Sequence, residues 1–96
     1  METKNTLELS GQIVKVYPTK KTPFGLLVMS FILEHNSIIE EAGQSRQVKC
    51  RIYCIMVDSN FKEAELNNKN VVVHGFLSQN AKMQLVLHIN KLNIFG

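Results

Sequence analysis

The chain has 96 residues, the size of one domain, because independent domains cluster at roughly 100–150 residues. Eleven Lys and Arg against eight Asp and Glu give a formal net charge of +3, and an apolar share of 45% excludes a disordered chain. Since no run of about 18 apolar residues occurs, we expect one domain over residues 1–96 with no membrane-spanning helix.

The first predicted strand, residues 6–17, changes its pattern at Gly11. Before this glycine the apolar residues are the odd-numbered Leu7 and Leu9, and after it the pattern drifts to the even-numbered Val14 and Val16. Such a change of phase is typical of a strand bent by a bulge, and a bent first strand can belong to two sheets of a small barrel. A loop over residues 18–25 follows, marked by two prolines and a glycine. The side chains of this loop include Lys20, Lys21 and Phe24.

The third predicted strand, residues 48–57, is the most informative segment of the sequence. It follows a second strand over residues 26–36 and a polar connection over residues 37–47. Its even-numbered positions are apolar, whereas Lys49, Arg51 and Tyr53 point to the opposite face. Strand geometry alone therefore presents two cations and an aromatic ring together on a sheet surface.

The remaining elements complete the order of a small barrel. A short helix is predicted over residues 58–66, and two strands over residues 71–79 and 85–95 are joined by a polar loop at residues 80–84. Five strands with a helix between the third and fourth follow the order of an OB-fold, the five-stranded Greek-key barrel. We therefore expect an all-β protein with this architecture.

No constellation typical of an enzyme is present in the sequence. The paired acids Glu40 and Glu41 lie in a predicted polar loop, where carboxylates are usually solvated. The serines lack a nucleophile motif, the glycines are scattered singly, and the three histidines have no metal-ligand spacing. We expect no catalytic site, no metal and no cofactor.

The two cysteines indicate a reducing compartment. Cys50 and Cys54 stand four residues apart in one predicted strand, a separation of roughly 13 Å, which exceeds the disulfide limit of about 7 Å. We expect both to be reduced and buried. The polar first ten residues do not match a signal peptide, so a cytoplasmic protein is expected.

The basic residues predict a single-stranded nucleic-acid groove. In an OB-fold, the face of strands two and three and the loops between strands one and two and between strands four and five surround one groove. Residues 46–51 contribute three cations and no acid. Tyr53 and Phe24 are the candidate stacking rings, whereas Phe31, Phe76 and Phe95 are expected in the core. The predicted phosphate-binding cations are Lys20, Lys21, Arg46, Lys49, Arg51 and Lys82. The alternative is an ordinary solvated surface, since a net charge of +3 is a weak imbalance.

Several stretches resemble the primosomal replication protein N (PriB) family. They are LELSG at 7–11, PFG at 23–25, FILEH at 31–35, EEAG at 40–43, RQ at 46–47, Cys50, VHGF at 73–76 and VLH at 86–88. The resemblance covers nearly the whole chain in order. It implies an OB-fold homodimer, related to bacterial single-stranded-DNA-binding proteins, that binds single-stranded DNA. It also implies that the chain helps the helicase PriA, and in some bacteria DnaT, to reload the replicative helicase at stalled forks.

The site residues implied by this resemblance match only in part. Lys20 stands where the family has a DNA-contacting basic residue, but Asn36 replaces an expected arginine and Lys49 replaces a stacking tryptophan. The loop at residues 80–84 is shorter than in the family and keeps only Lys82 of a lysine-rich segment. We therefore expect binding that is more electrostatic and less aromatic than is usual for the family.

Two functions remain open from the sequence. The first is a primosome accessory protein that binds single-stranded DNA without sequence preference and contacts a restart helicase. The second is a protein–protein adaptor of the same machinery, in which DNA binding is weak or lost. The short 80–84 loop and Lys49 motivate the second hypothesis.

Overall fold

A computed structural model describes residues 3–95 of the chain, so that Met1, Glu2 and Gly96 of the predicted domain lie outside the described residues. The elements in chain order are β1 (Leu7–Val16), β2 (Lys20–Lys21), β3 (Leu27–Glu41), β4 (Gln44–Val57), α1 (Glu63–Leu66), β5 (Asn70–Gln79) and β6 (Leu85–Ile94). The strands lie in the order β1-β5-β6-β4-β3-β2, and a further pairing of β1 with β3 closes the sheet. The five long strands thus form a closed barrel, which confirms the predicted OB-type architecture.

The first strand belongs to both halves of the barrel, as its change of phase predicts. Its first part, Leu7 to Gln12, pairs with β5, and its last part, from Gln12 onward, pairs with β3. The register shifts between Ile13 and Lys15, which is a bulge. A side chain at Gly11 would collide with the carbonyl oxygen of Glu34, so the glycine allows β1 to cross closely over β3.

The polar connection predicted at residues 37–47 is wrong, because this segment is a long hairpin. Strands β3 and β4 pair continuously from Val28–Val57 to Glu41–Gln44, and the turn uses Ala42 and Gly43 with positive φ of 53° and 77°. Residues 38–47 are exposed on both faces of the hairpin. Since neither face is buried there, the alternation of apolar and polar residues that marks a half-buried strand is missing.

The helix between β4 and β5 is present but shorter than the predicted 58–66. Asp58 has a positive φ of 60° and cannot begin a helix, so α1 starts only at Glu63. The Glu65 carboxylate accepts a hydrogen bond from the Lys62 backbone N–H at 3.0 Å, which caps the helix start. Leu66 is fully buried and packs in the barrel core.

The core lies inside the barrel and includes Phe31, as expected, together with Ile13, Met29, Leu33, Cys54, Leu66, Val71, Val73 and Leu87. The prediction that Phe76 and Phe95 belong to it is wrong, since they are 42% and 62% exposed. The inward positions of β5 are Val71, Val73 and Gly75, so Phe76 faces outward and stacks on His88 with ring centroids 4.9 Å apart. Cys54 is buried as expected, but Cys50 is exposed, because it stands where the hairpin leaves the barrel.

Candidate nucleic-acid interface

An open groove of about 880 Å³ runs across the outer face of β3 and β4, beside the loop between β5 and β6. The strand pairing sets its floor, because Lys15, Ile32, Tyr53 and Val86 stand in one row across β1, β3, β4 and β6. The residues that line the groove are Tyr17, Ile32, Cys50, Arg51, Ile52, Tyr53, Asn80, Gln84, Leu85 and Val86. The groove therefore lies where an OB-fold binds oligonucleotides.

Two tyrosines form the aromatic part of the groove lining, and a lysine contacts one of them. The rings of Tyr17 and Tyr53 meet edge to face, with centroids 5.7 Å apart and an interplanar angle of 63°. The ammonium of Lys15 lies 4.9 Å from the centroid of the Tyr17 ring, a cation–π contact. The arrangement offers aromatic surface for a base and a positive charge for its phosphate.

Lys15 and Tyr17 were not among the sequence-predicted site residues. Lys15 lies in β1 and Tyr17 directly follows the strand. A spacing of two in extended backbone places both side chains on one face, which is the signal that could have identified them. The bulge between Ile13 and Lys15 changes which side chains of β1 point to a given face of the sheet. Without the pairing to β3, nothing in the sequence assigns them to the groove side.

The cations on the β3–β4 hairpin have acidic partners across the strand pair. The Arg51 Nε–H donates to the Glu34 carboxylate at 2.7 Å, and Arg46 donates to Glu41 at 3.1 Å. Arg51, Lys49 and the Asn36 amide hold the pKa of the Glu34 carboxyl below its usual value, with the Arg51 hydrogen bond as the largest cause. The acid-free positive cluster expected at residues 46–51 is therefore offset by acids from β3.

The remaining predicted residues do not line the groove. Lys20 and Lys21 form β2 and pair with Val28 and Leu27. The Thr19 backbone N–H donates to the Glu63 carboxylate at 2.6 Å, which fastens this segment to α1 and lowers the pKa of the Glu63 carboxyl.

Phe24 and Lys82 lie in two loops and are outside the groove lining. Phe24 is 94% exposed at the tip of the loop before β3. Lys82 lies in the loop between β5 and β6, where the Asn80 side-chain oxygen accepts from the backbone N–H groups of Lys82 and Gln84. Of the eight predicted site residues, the structure thus brings Arg51 and Tyr53 together in the groove lining and leaves six outside it.

Within residues 3–95 no group of three His, Cys, Asp or Glu side chains is placed to hold a metal ion. No helix in this part of the chain is long and apolar enough to cross a membrane.

Comparison with known proteins agrees with the barrel fold. A family model described as another single-strand binding protein family matches residues 5–91. The replication restart protein PriB of Pectobacterium atrosepticum is 36% identical over 98% of this chain and 95% of its own length. The chain belongs to the PriB family. The PriB of Vibrio cholerae is likewise 36% identical, over 93% of this chain and 96% of its own length.

Solved structures of PriB and single-stranded DNA binding proteins share the fold. PriB from Ralstonia solanacearum is 25% identical with a TM-score of 0.80, over 98% of this chain and 100% of that one. A deletion mutant of the single-stranded DNA binding protein from Thermus aquaticus is 15% identical with a TM-score of 0.77, over 97% of this chain and 51% of that one. The N-terminal domain of PriB from Thermoanaerobacter tencongensis, described as dimeric, is 16% identical with a TM-score of 0.67, over 96% and 97%.

Proposed function

We propose that this PriB-family chain holds single-stranded DNA in the groove over β3 and β4 and acts there as an accessory protein of replication restart. The family assignment gives the general role, a single-stranded-DNA-binding protein of replication restart. The observation that supports this groove is the Tyr17–Tyr53 pair with Lys15, on the floor of an open cleft. Its proposed role is binding and not catalysis, and it acts in the cytoplasm, where the DNA is.

The proposed DNA path uses the two tyrosine rings and also cations outside the groove lining. Stacking contributes about 1–3 kcal/mol per base, so two tyrosines provide only part of a useful affinity. Phosphate contacts supply the remainder, and we assign them to Arg51 in the groove lining and to Lys15 beside Tyr17. The residues outside the lining that we assign to the same path are Lys20, Lys21, Phe24, Arg46, Lys49 and Lys82.

Binding of a labelled oligo-dT of about 30 nucleotides, followed by fluorescence anisotropy at two salt concentrations, tests this proposal. We expect single-strand binding that weakens with salt, at a slope near −0.7 per phosphate contacted, and weaker binding to a duplex of equal length. Lys20→Ala with Lys49→Ala should lower the affinity sharply. The control is Lys69→Ala with Lys91→Ala, which removes the same charge at two positions that are not on the proposed DNA path. Equal binding by the two double variants would refute the proposed path.

We propose that the chain acts as a homodimer. On the side of β1 away from β5, residues 7–11 pair with no strand of the described chain, because the pairing with β3 begins at Gln12. A free strand edge is a ready template for a second copy, and the dimeric PriB domain from Thermoanaerobacter tencongensis has the same fold. A sedimentation mass of a single chain at micromolar concentration would refute the dimer.

The proposed protein partners are a PriA-type helicase and, in bacteria that have it, DnaT.

A second candidate function is an adaptor of the restart machinery that does not depend on DNA. The pairing of Arg46 and Arg51 with Glu41 and Glu34 favours it, because these acids reduce the positive charge available to phosphates. Retention of the helicase by immobilised protein that ignores oligo-dT at physiological salt would establish the adaptor and exclude the DNA-binding role.

A further inference from the structure

The Glu34 carboxylate forms an ion pair with Arg51, a cation that lines the groove. Glu34 and Arg51 are directly opposite each other in the β3–β4 pair, and Arg51 Nε lies 2.7 Å from Glu34 Oε2. The Glu34 side chain is 16% exposed, whereas the Arg51 side chain is 65% exposed. The Glu34 side chain is therefore largely covered by its neighbours, whereas the Arg51 side chain is exposed and lines the groove.

A second cation acts on the same carboxylate. Lys49 stands opposite Asn36, two residues along each strand, and its charge helps to lower the pKa of the Glu34 carboxyl. The Asn36 amide nitrogen lies 3.5 Å from Glu34 Oε1. Because the pKa is lowered from an already acidic value, the carboxylate stays charged at neutral pH, where its negative charge is always present beside Arg51 and Lys49.

A carboxylate and a phosphate diester offer a guanidinium the same kind of ligand, an anionic oxygen acceptor. A DNA phosphate that approaches Arg51 meets a cation already bound to an acid, and it is also repelled by that acid. We propose that Glu34 sets the affinity of the chain for single-stranded DNA by competing with a DNA phosphate for Arg51 and Lys49. This inference depends on the proposed function, and it makes Glu34 an internal phosphate mimic that must be displaced.

Glu34→Gln is the direct test, because it keeps the shape and an oxygen acceptor and removes the charge. Exposed ion pairs are weak, so we expect oligo-dT to bind roughly two- to fivefold more tightly at low salt. We also expect the salt slope to steepen by about 0.7, the increment for one additional phosphate contact on a single strand. In an Arg51→Ala background most of the gain should disappear.

Glu41→Gln is the matched control. It removes the same charge from the same hairpin and breaks the Arg46 pair, whose partners are 63% and 65% exposed. Arg46 is on the proposed path but does not line the groove as Arg51 does, so the gain in affinity from Glu41→Gln should be smaller than the gain from Glu34→Gln. Both variants raise the net charge by one, so any effect of overall charge is common to them. An affinity for Glu34→Gln that equals or falls below that of Glu41→Gln overturns the proposal, because it means that Glu34 does not compete or only positions Arg51.

A measurement on the unmodified chain covers the case in which Glu34→Gln fails to fold. The carboxyl of Glu34 can be titrated by ¹³C NMR with and without oligo-dT. Displacement from Arg51 by a phosphate should raise its pKa on binding, and an unchanged value overturns the proposal. If wild-type protein and all variants leave oligo-dT unbound at low salt, the proposed function itself fails. Binding that needs Arg51 but is not strengthened by Glu34→Gln refutes only the role of Glu34.

Discussion

Tyr17 and Tyr53 approach each other from two different strands, with ring centroids 5.7 Å apart and an interplanar angle of 63°. Tyr17 directly follows β1, and Tyr53 lies in the second half of β4. Between them runs β3, whose Ile32 faces both Lys15 and Tyr53 in the strand pairing. An edge-to-face pair keeps one ring face open, so it can stack on a base without first losing its own contact.

Replacement of Tyr53 by Leu should weaken oligo-dT binding by about 1–3 kcal/mol, because one stacking surface is lost. Tyr53→Phe is the matched control, since it keeps the ring and removes only the hydroxyl, and it should bind within about twofold of wild type. Anisotropy titrations at one salt concentration provide the comparison. If the Leu variant unfolds cooperatively and still binds as wild type does, the tyrosine pair is not a base platform.

Lys15→Gln should lower both the affinity and its dependence on salt. The Lys15 ammonium lies 4.9 Å from the Tyr17 ring centroid, so a base stacked on the tyrosine pair would bring its phosphate close to this charge. Loss of one phosphate contact should reduce the salt slope by about 0.7. Lys69→Gln, in the turn between α1 and β5, removes the same charge and should leave the slope unchanged. A common slope for the two variants would exclude Lys15 from the DNA path.

The sequence predicts the barrel well because its central strands are half-buried. Alternation of apolar and polar residues marks the parts of β3 and β4 that cover the core, and Phe31 and Cys54 lie inside as expected. The same signal cannot report the outer hairpin, where residues 38–47 face solvent on both sides. It also fails for Phe76, because hydrophobicity alone does not show which face of a strand a ring occupies.

The charge of the site is harder to predict than its position. The acid that pairs with Arg51 is Glu34, which lies 17 residues away in the sequence, on the neighbouring strand. A count of charges within residues 46–51 therefore misses it. Only the register of β3 against β4 shows that Glu34 lies directly opposite Arg51.

Alkylation by iodoacetamide at pH 8 should modify Cys50 and leave Cys54 intact in the folded chain. Cys50 is exposed and lines the groove, whereas Cys54 is buried in the core. Burial raises the pKa of the Cys54 thiol to about 12, so almost no reactive thiolate forms there. Mass spectrometry should show one adduct before unfolding and two after it. Oligo-dT should slow the first modification, and two adducts at equal rates in folded protein would contradict the burial of Cys54.

The stability of the fold should fall as the pH rises from about 9 toward 12. The pKa of the Cys54 thiol is raised from 9.0 to about 12 by desolvation, so the folded chain keeps a proton that the unfolded chain loses in this range. The contribution of this thiol to stability is therefore complete below pH 9 and decreases above it. Urea unfolding at several pH values measures the effect, which Cys54→Val should reduce and Cys50→Ser should leave unchanged. If both variants lose stability equally as the pH rises, groups other than the Cys54 thiol cause the loss.

Gly75→Ala should destabilise the barrel by about 3 kcal/mol, the upper part of the range for overpacking, because the new side chain has no space. Its Cβ would collide with the backbone carbonyl oxygen of His88, and a backbone atom in a paired strand cannot move aside. Gly43→Ala is the control, since nothing lies within 4 Å of its Cβ and only its positive φ of 77° opposes the substitution. That cost should be about 1 kcal/mol. Urea unfolding compares the two, and equal losses would mean that β5 and β6 can separate at the bulge between His74 and Gly75 to admit a methyl group.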